Sequence, residues 1–392
     1  MNTLRRTWAD ISLENLEHNY RVLRCHVPHA ARFLGVVKAD AYGHGAVAVS
    51  RALSQFGAEY LAVSNLEEAV QIRRAHVGTP ILILGFTPPE FAEDMACLGI
   101  TQEVHSLDYA QALEQALSGT GFTLNVHLKI DTGMTRIGFL AIEQERSVGE
   151  LLQVCKLRHL HAEGIFMHFS SADSTAAADE AYTALQYARF TSVLDALAAC
   201  GVKPEIRHCC NSGATILHPD YALDMIRPGV ATYGLPPAPD CSGKLDLRPI
   251  MSVHSSVAQI RDLPAGCSVS YGRTFVTDRP MRVAVIPMGY ADGLMRTLSG
   301  KVSFRLHGKQ AKNIGRICMD MCMIDVSQIP EAKVGDTVTL FGYDEAGTLI
   351  PCESVSDLVP TISYEILTSM DKRIPRFYLR DGKQSDILQY IV

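Results

Sequence analysis

The chain has 392 residues, 47% of them apolar and 20% charged, with a formal net charge of −6. That length asks for more than one core, so two domains of a soluble globular protein are expected. An acidic balance argues against nucleic acid as a partner, and no apolar run approaches the roughly 18 residues that span a bilayer, so no membrane association is expected.

The start, MNTLRRTWADISLENL, has two arginines but no apolar segment after them. No secretory signal is read there, and a cytoplasmic location is expected. From residue 31 to 234, eight apolar runs recur: ARFLGVVKA, EYLAVSN, PILILGF, TQEVHS, TLNVHLKID, AEGIFMHFS, PEIRHCCNS and DMIRPGVATYG. Helical patterns separate most of them, some with start signals. TPPE at 87–90 offers Thr87 as a cap with proline at the first helical position, NLEE at 65–68 offers Asn65, and Ser106 precedes LDYAQALEQAL. Eight strands alternating with helices predict an α/β fold, a (β/α)8 barrel over 11–240.

The texture changes at PPAPDCSGKLDLRP, a Pro/Gly-rich stretch at 236–249 that reads as a linker. Beyond it come MSVHSSVAQI, RVAVIPMGY, KVSFRLHG, ICMDMCMIDV and DTVTLFGY, short β-type segments, and a helical piece at TISYEILTSM. A mainly β domain over 241–392 is predicted. The eleven cysteines are scattered without a CxxC pair, so reduced thiols and no metal are expected. His208-Cys209-Cys210 is the nearest approach to a ligand cluster, but neighbouring strand side chains point to opposite faces.

The polar residues fall at the ends of the predicted barrel strands. Lys38 closes the first, with Tyr42 and a Gly-His-Gly turn after it; His168 closes the sixth, Asn211 and Ser212 the seventh, Arg227 and Gly229 the eighth. Barrel enzymes carry their chemistry at C-terminal strand ends and often hold phosphate after strands seven and eight. A hydroxyl and glycine-lined backbone N–H groups suit that task. A lysine at such a mouth is either a solvated strand end or a nucleophilic amine beside a phosphate-bearing cofactor.

VVKADAYGHG, LKIDTGMTRIGF, MHFSSAD, NSG, MIRPGVATYG, SYGRTFVT, MGYADG and GRICMDMCMIDV, in that order, resemble bacterial alanine racemase, a pyridoxal 5'-phosphate (PLP) enzyme of fold type III. The resemblance runs from residue 8 to about 378. It implies a PLP-binding barrel, a C-terminal β domain, an N-terminal segment (1–10) packing with that β domain, and a homodimer with its active sites at the interface. It further implies a catalytic set of Lys38, Tyr271, His168 and Arg227. Lys38 would hold PLP as a Schiff base and act as one base; Tyr271, from the other subunit, would be the opposing one. Tyr42, Ser212, Gly229 and Tyr364 would hold the phosphate, with Asn211 and Val230 lining the cofactor site. Arg227 would meet the pyridine nitrogen, and His168 would connect it to the tyrosine. Arg136 and the Met319 backbone would take the substrate carboxylate, beside Tyr290, Cys318 and Asp320. Lys129 matches a lysine carbamylated in many members, where it positions the arginine.

These residue types suit racemisation, which needs two bases on opposite faces of a planar carbon and a cofactor to delocalise its charge. A tyrosine near its reference pKa of about 10 serves as a base only with positive charge nearby. The implied role is interconversion of L- and D-alanine, supplying D-alanine for peptidoglycan. Four positions depart from the family pattern: Met321 for glutamine, Leu294-Met295 for Tyr-Pro, and Gly213 for alanine. A serine or broader amino-acid racemase is the nearest alternative. A decarboxylase of the same fold type would want a carboxylate where Arg227 stands, and a non-catalytic PLP carrier would lack the β domain.

Overall fold

The protein is described by a computed structural model covering residues 5–28 and 31–391. Residues 1–4 of the predicted N-terminal segment lie outside the described residues. The chain divides into two compact units. Of the described residues, one comprises 16–28, 31–41 and 46–248; the other comprises 5–15, 42–45 and 249–391.

After β1 (Thr7–Ser12) and α1 (Leu13–His26), the first unit alternates strand and helix. Its elements are β2 (Arg32–Val36), α2 (Ala46–Phe56), β3 (Tyr60–Val63), α3 (Leu66–Arg74), β4 (Ile81–Ile83), α4 (Ala92–Cys97), β5 (Ile100–Val104) and α5 (Leu107–Leu117). There follow β6 (Leu124–Asp131), the two-residue β7 (Phe139–Leu140), α6 (Gln144–Val154), β8 (Leu160–Phe166), α7 (Ala177–Ala199), β9 (Ile206–His208), α8 (Ser212–Leu217) and β10 (Met225–Ile226). Eight strands lie in parallel in the order β10-β2-β3-β4-β5-β6-β8-β9, with β7 beside β6. Backbone bonds from Asp224 N to Arg207 O and from Arg227 N to Cys210 O, each 2.9 Å, join the outer members into a barrel. Every residue of β3, β4 and β5 is buried, as strands covered on both faces must be. That double burial is why strands such as YLAV and ILI read as apolar runs.

The caps hold in two of three cases. Asn65 accepts from Glu68 N and Ser106 from Tyr109 N. Thr87 does not cap: its hydroxyl donates to Gln102 Oε1 at 2.9 Å, and only a 3₁₀ turn follows, at Pro89–Phe91. A buried glutamine claimed the hydroxyl that the motif assigned to the helix.

The second unit is mainly β. An eight-stranded sheet contains β11 (Met251–Ser256), β16 (Ser303–Leu306), β17 (Lys309–Lys312), β19 (Thr337–Tyr343), β20 (Leu349–Ile350), β21 (Arg376–Arg380), β22 (Lys383–Leu388) and β1. A three-stranded sheet joins β12 (Gln259–Leu263), β15 (Met281–Ile286) and β18 (Cys322–Asp325), while β13 (Ser268–Val269) pairs with β14 (Phe275–Val276). Two short helices, α9 (Glu353–Ser356) and α10 (Ser363–Ser369), follow β20 in the chain. Strand β1 lies between β11, antiparallel, and β21, parallel. Tyr42–Gly45 are held in this unit too: Arg376 Nε donates to Gly43 O at 3.0 Å, and Tyr378 donates to His44 O at 2.9 Å.

Candidate active site

Lys38 stands just past β2, where the chain makes an unusual turn. Ala39, Asp40, Ala41 and Tyr42 all have φ between 52° and 53°, four consecutive non-glycine residues in the left-handed region. Each costs about 1–2 kcal/mol there. The turn is pinned at both ends: Glu68 Oε1 accepts from Ala39 N at 2.7 Å, and Asp40 Oδ1 accepts from Ala46 N at 2.8 Å, at the start of α2. Burial and then the nearby Arg136 charge pull the Lys38 pKa below its usual value. Its free amine is thereby made more available as a nucleophile.

The other barrel residues of the predicted set share that end of the strands. Arg227 is 3% exposed and its guanidinium donates to Met167 O at 2.7 Å and Cys209 O at 3.1 Å. It also meets His208 Nδ1 at 2.9 Å and His168 Nδ1 at 3.4 Å. No carboxylate is among these partners. Burial pulls its pKa down to about 10, so it stays protonated at neutral pH. Burial, reinforced by Arg227, Lys129, Arg136 and Lys38, drives His168 well below the usual histidine range and keeps it neutral. Buried Lys129 falls to about 7 by desolvation, then by Arg227; its amine donates to Ile130 O at 2.8 Å.

Arg136 is displayed by a turn built on Asp131, whose carboxylate accepts from the backbone N–H groups of Gly133, Thr135 and Arg136. Helix α7 braces this turn and the one after β8: Tyr182 donates to Gly133 O at 2.8 Å, Arg189 to Thr132 O at 2.9 Å, and Gln186 accepts from Ser170 N at 3.0 Å. Nothing local in the sequence marks these three helix residues as supports. The Ser212 hydroxyl receives the N–H groups of Gly229 at 2.8 Å and Ala231 at 3.3 Å. Asn211 caps α8 through Ala214 N, and Val230 opens a 3₁₀ turn that Gly229 precedes. Gly213 has a spatial reason: a Cβ there would lie 2.9 Å from the Asp173 backbone, so the segment after β8 sits closer than alanine permits.

His208 is no metal ligand here, because its ring nitrogens face Arg227 and His127. Cys209 and Cys210 are buried, their sulfurs 4.0 Å apart.

The β unit displays the remaining residues on adjoining turns. Tyr271 is 70% exposed, on a turn where Ser270, Gly272 and Arg273 all have positive φ. The Ser270 hydroxyl donates to Arg316 O at 2.6 Å. Tyr290 N donates to Cys318 O and Ala291 N to Met319 O, both at 3.0 Å. Gly289 makes that approach feasible, since a Cβ would lie 2.3 Å from Met319 O. Asp320 pairs with Arg373 at 2.9 Å. Met319 and Met321 are exposed and Leu294 is buried. Tyr42 and Tyr364 rings lie 6.1 Å apart, and burial lifts the Tyr42 pKa to about 12.

A parallel barrel that gathers its cations at the strand C-termini, in a chain that continues into a mainly β unit, has the layout of a barrel enzyme. Residues 11–237 match the family model "Alanine racemase, N-terminal domain" and 250–378 match "Alanine racemase, C-terminal domain". An alanine racemase of Desulfovibrio desulfuricans is 43% identical over 375 residues, covering 96% of this chain and 98% of its own. Alanine racemase 1 of Clostridium acetobutylicum is 39% identical, covering 99% of each. Among solved structures, alanine racemase of Clostridium difficile 630 superposes with a TM-score of 0.94 at 36% identity over 100% of both chains. That of Bacillus anthracis with bound L-Ala-P gives 0.92 at 31% identity, covering 100% of this chain and 99% of that one. The chain belongs to the alanine racemase family, a family of isomerases.

Proposed function

We propose that this protein interconverts L- and D-alanine with PLP, by two bases, as a homodimer in the cytoplasm, and supplies D-alanine for peptidoglycan. The observation that carries the reading is the gathering of Lys38, Lys129, Arg136 and Arg227 around a neutral His168, with no carboxylate among the hydrogen-bond partners of Arg227. These residues fit PLP. A depressed lysine amine suits its carbonyl carbon. Ser212 with the Gly229 and Ala231 N–H groups suits its phosphate, with Tyr42, Tyr364, Asn211 and Val230 completing the holding set. An arginine without a carboxylate partner suits its ring nitrogen.

Bound PLP supplies an electron sink that lets the amino-acid Cα proton leave. The chain's own residues then decide the outcome. Lys38 takes or returns the proton at its Nζ on one face, and Tyr271 of the other subunit does so at its hydroxyl on the opposite face. Arg136 receives the substrate carboxylate, with the Met319 N–H and neighbouring Tyr290, Cys318 and Asp320 shaping that end. Arg227 can only donate, so it leaves no proton for the ring nitrogen to take and limits how long charge is stored there. The exposure of Tyr271, Met319 and Met321 supports a face that a second copy covers. That copy makes the site of each subunit complete.

Borohydride treatment of the PLP-loaded protein is expected to fix the cofactor on the peptide carrying Lys38, read by mass spectrometry. A panel of L-amino acids is expected to show racemisation of alanine. An adduct on another lysine, carbon dioxide release, or turnover of serine ahead of alanine would each overturn part of this reading.

A further inference from the structure

Behind Arg227 the barrel interior contains titratable side chains that none of the steps above uses. Arg227 Nη1 meets His208 Nδ1 at 2.9 Å, and His208 Nε2 meets His127 Nδ1 at 2.8 Å. His127 Nε2 then faces Glu163 Oε2 at 3.7 Å, and the Tyr60 hydroxyl donates to Glu163 Oε1 at 2.5 Å. Both imidazoles are 0% exposed. The residues come from β3, β6, β8, β9 and the end of β10, so five strands of the barrel contribute.

The chemistry of the two ends gives this chain one direction. A guanidinium can only donate, so His208 Nδ1 accepts and its proton sits on Nε2. That proton is donated to His127 Nδ1, which puts the His127 proton on Nε2, toward Glu163. His127, with Tyr60, holds the Glu163 carboxyl below its ordinary range, so this end only accepts. Burial lowers both histidines, and the Arg227 charge adds to it, so each is a neutral ring with one donor and one acceptor. The reverse order would set a His208 N–H against an Arg227 N–H.

The backbone is shaped around the His127 ring. A Cβ on Gly164 would lie 2.6–2.7 Å from three of its ring atoms. Gly164 has no positive φ, so glycine serves here for space and not for conformation. The β6–β8 ladder also shifts register between Val126 and His127.

We infer that Glu163, His127 and Tyr60 are positioning residues: they lock His208 as an Nδ1 acceptor and so fix the Arg227 guanidinium. The Arg227 Nη2 edge is tied to two carbonyls and meets His168 Nδ1, while Nη1 bonds to His208 Nδ1. The inference rests on the reading above only in that Arg227 serves the PLP ring nitrogen.

Histidine ring ¹⁵N spectra of the PLP-loaded dimer test it. His127 and His208 are both expected as neutral Nε2–H tautomers. Glu163→Leu is expected to produce a tautomer mixture at His127 and His208. It should also lower kcat about ten- to a hundredfold with little change in KM, the range seen when partners that orient functional histidines are lost. Glu163→Gln, whose carbonyl can face the His127 N–H while its amide donates to Tyr60, should keep most of kcat. Gly164→Ala should disturb the same two resonances. An Nδ1–H tautomer at either histidine in the unsubstituted protein would overturn the inference without any variant having to fold. Unchanged tautomers in Glu163→Leu would do so as well. A protein with the expected tautomers that fails to racemise alanine would instead overturn the proposed function and leave the relay standing.

Discussion

Lys129 shows how burial turns an ordinary side chain into a reactive one. Water is excluded from its amine and Arg227 stands nearby, so its pKa falls to about 7 from the usual lysine value of 10.5. The neutral amine is therefore well populated near neutral pH, and the neutral form is the one that adds to carbon dioxide. The nitrogen gains a bond to carbon and loses a proton, leaving a carbamate anion amid Arg136 and Arg227. We expect ¹³C-bicarbonate to give a carbamate resonance in the native protein and none in Lys129→Met. Because protonation blocks the reaction, the signal should fade as pH drops below 7. A signal that survives the substitution would place the modification elsewhere.

Among elements, the left-handed turn at Ala39–Tyr42 is where local preference and tertiary structure oppose each other. Alanine normally favours the right-handed helix, and here Ala39 and Ala41 sit at φ 52° and 53°. Glycine at the exposed Ala39 would relieve about 1–2 kcal/mol of backbone cost and lose about 0.5–1 kcal/mol to greater freedom of the unfolded chain. Ala39→Gly is therefore expected to leave stability unchanged or raise it by up to about 1.5 kcal/mol, read from denaturant midpoints. A loss above about 1 kcal/mol would contradict the strained turn. This turn also marks where sequence reading ends. The barrel strands were legible because double burial writes them as apolar runs, and Lys38, His168 and Arg227 were legible as polar residues closing those runs. ADAY carries no mark of left-handedness, which Glu68 and Asp40 impose through bonds to Ala39 N and Ala46 N. Gln186 was equally hidden, because only the packing of α7 brings it to Ser170 and Thr132. His127 and Glu163 could have been suspected, as polar residues inside NVHLKID and AEGIF, but their pairing depends on the register between two strands.

At the scale of the whole molecule, the proposed sharing of Tyr271 between subunits has a clear signature. A Lys38→Ala chain and a Tyr271→Phe chain should each be nearly inactive alone, since each lacks one base. After random re-pairing of equal amounts, about half the dimers are hybrids, and about a quarter of all sites should regain activity. Complete subunit exchange without any recovery would assign each tyrosine to its own chain. The sheet of the β unit sets a further condition on the polypeptide. Strand β1 pairs with Met251–Ser255 on one side and Arg376–Leu379 on the other, so an interior strand of that sheet leaves the ribosome before both of its neighbours. Its two neighbours emerge only after the barrel has been translated. Until then the nascent chain carries a strand with both edges unpaired, the kind of edge that invites mispairing between chains. Removing β1 or β21 therefore damages the same sheet, and the loss of the late strand is felt at the early one it pairs with.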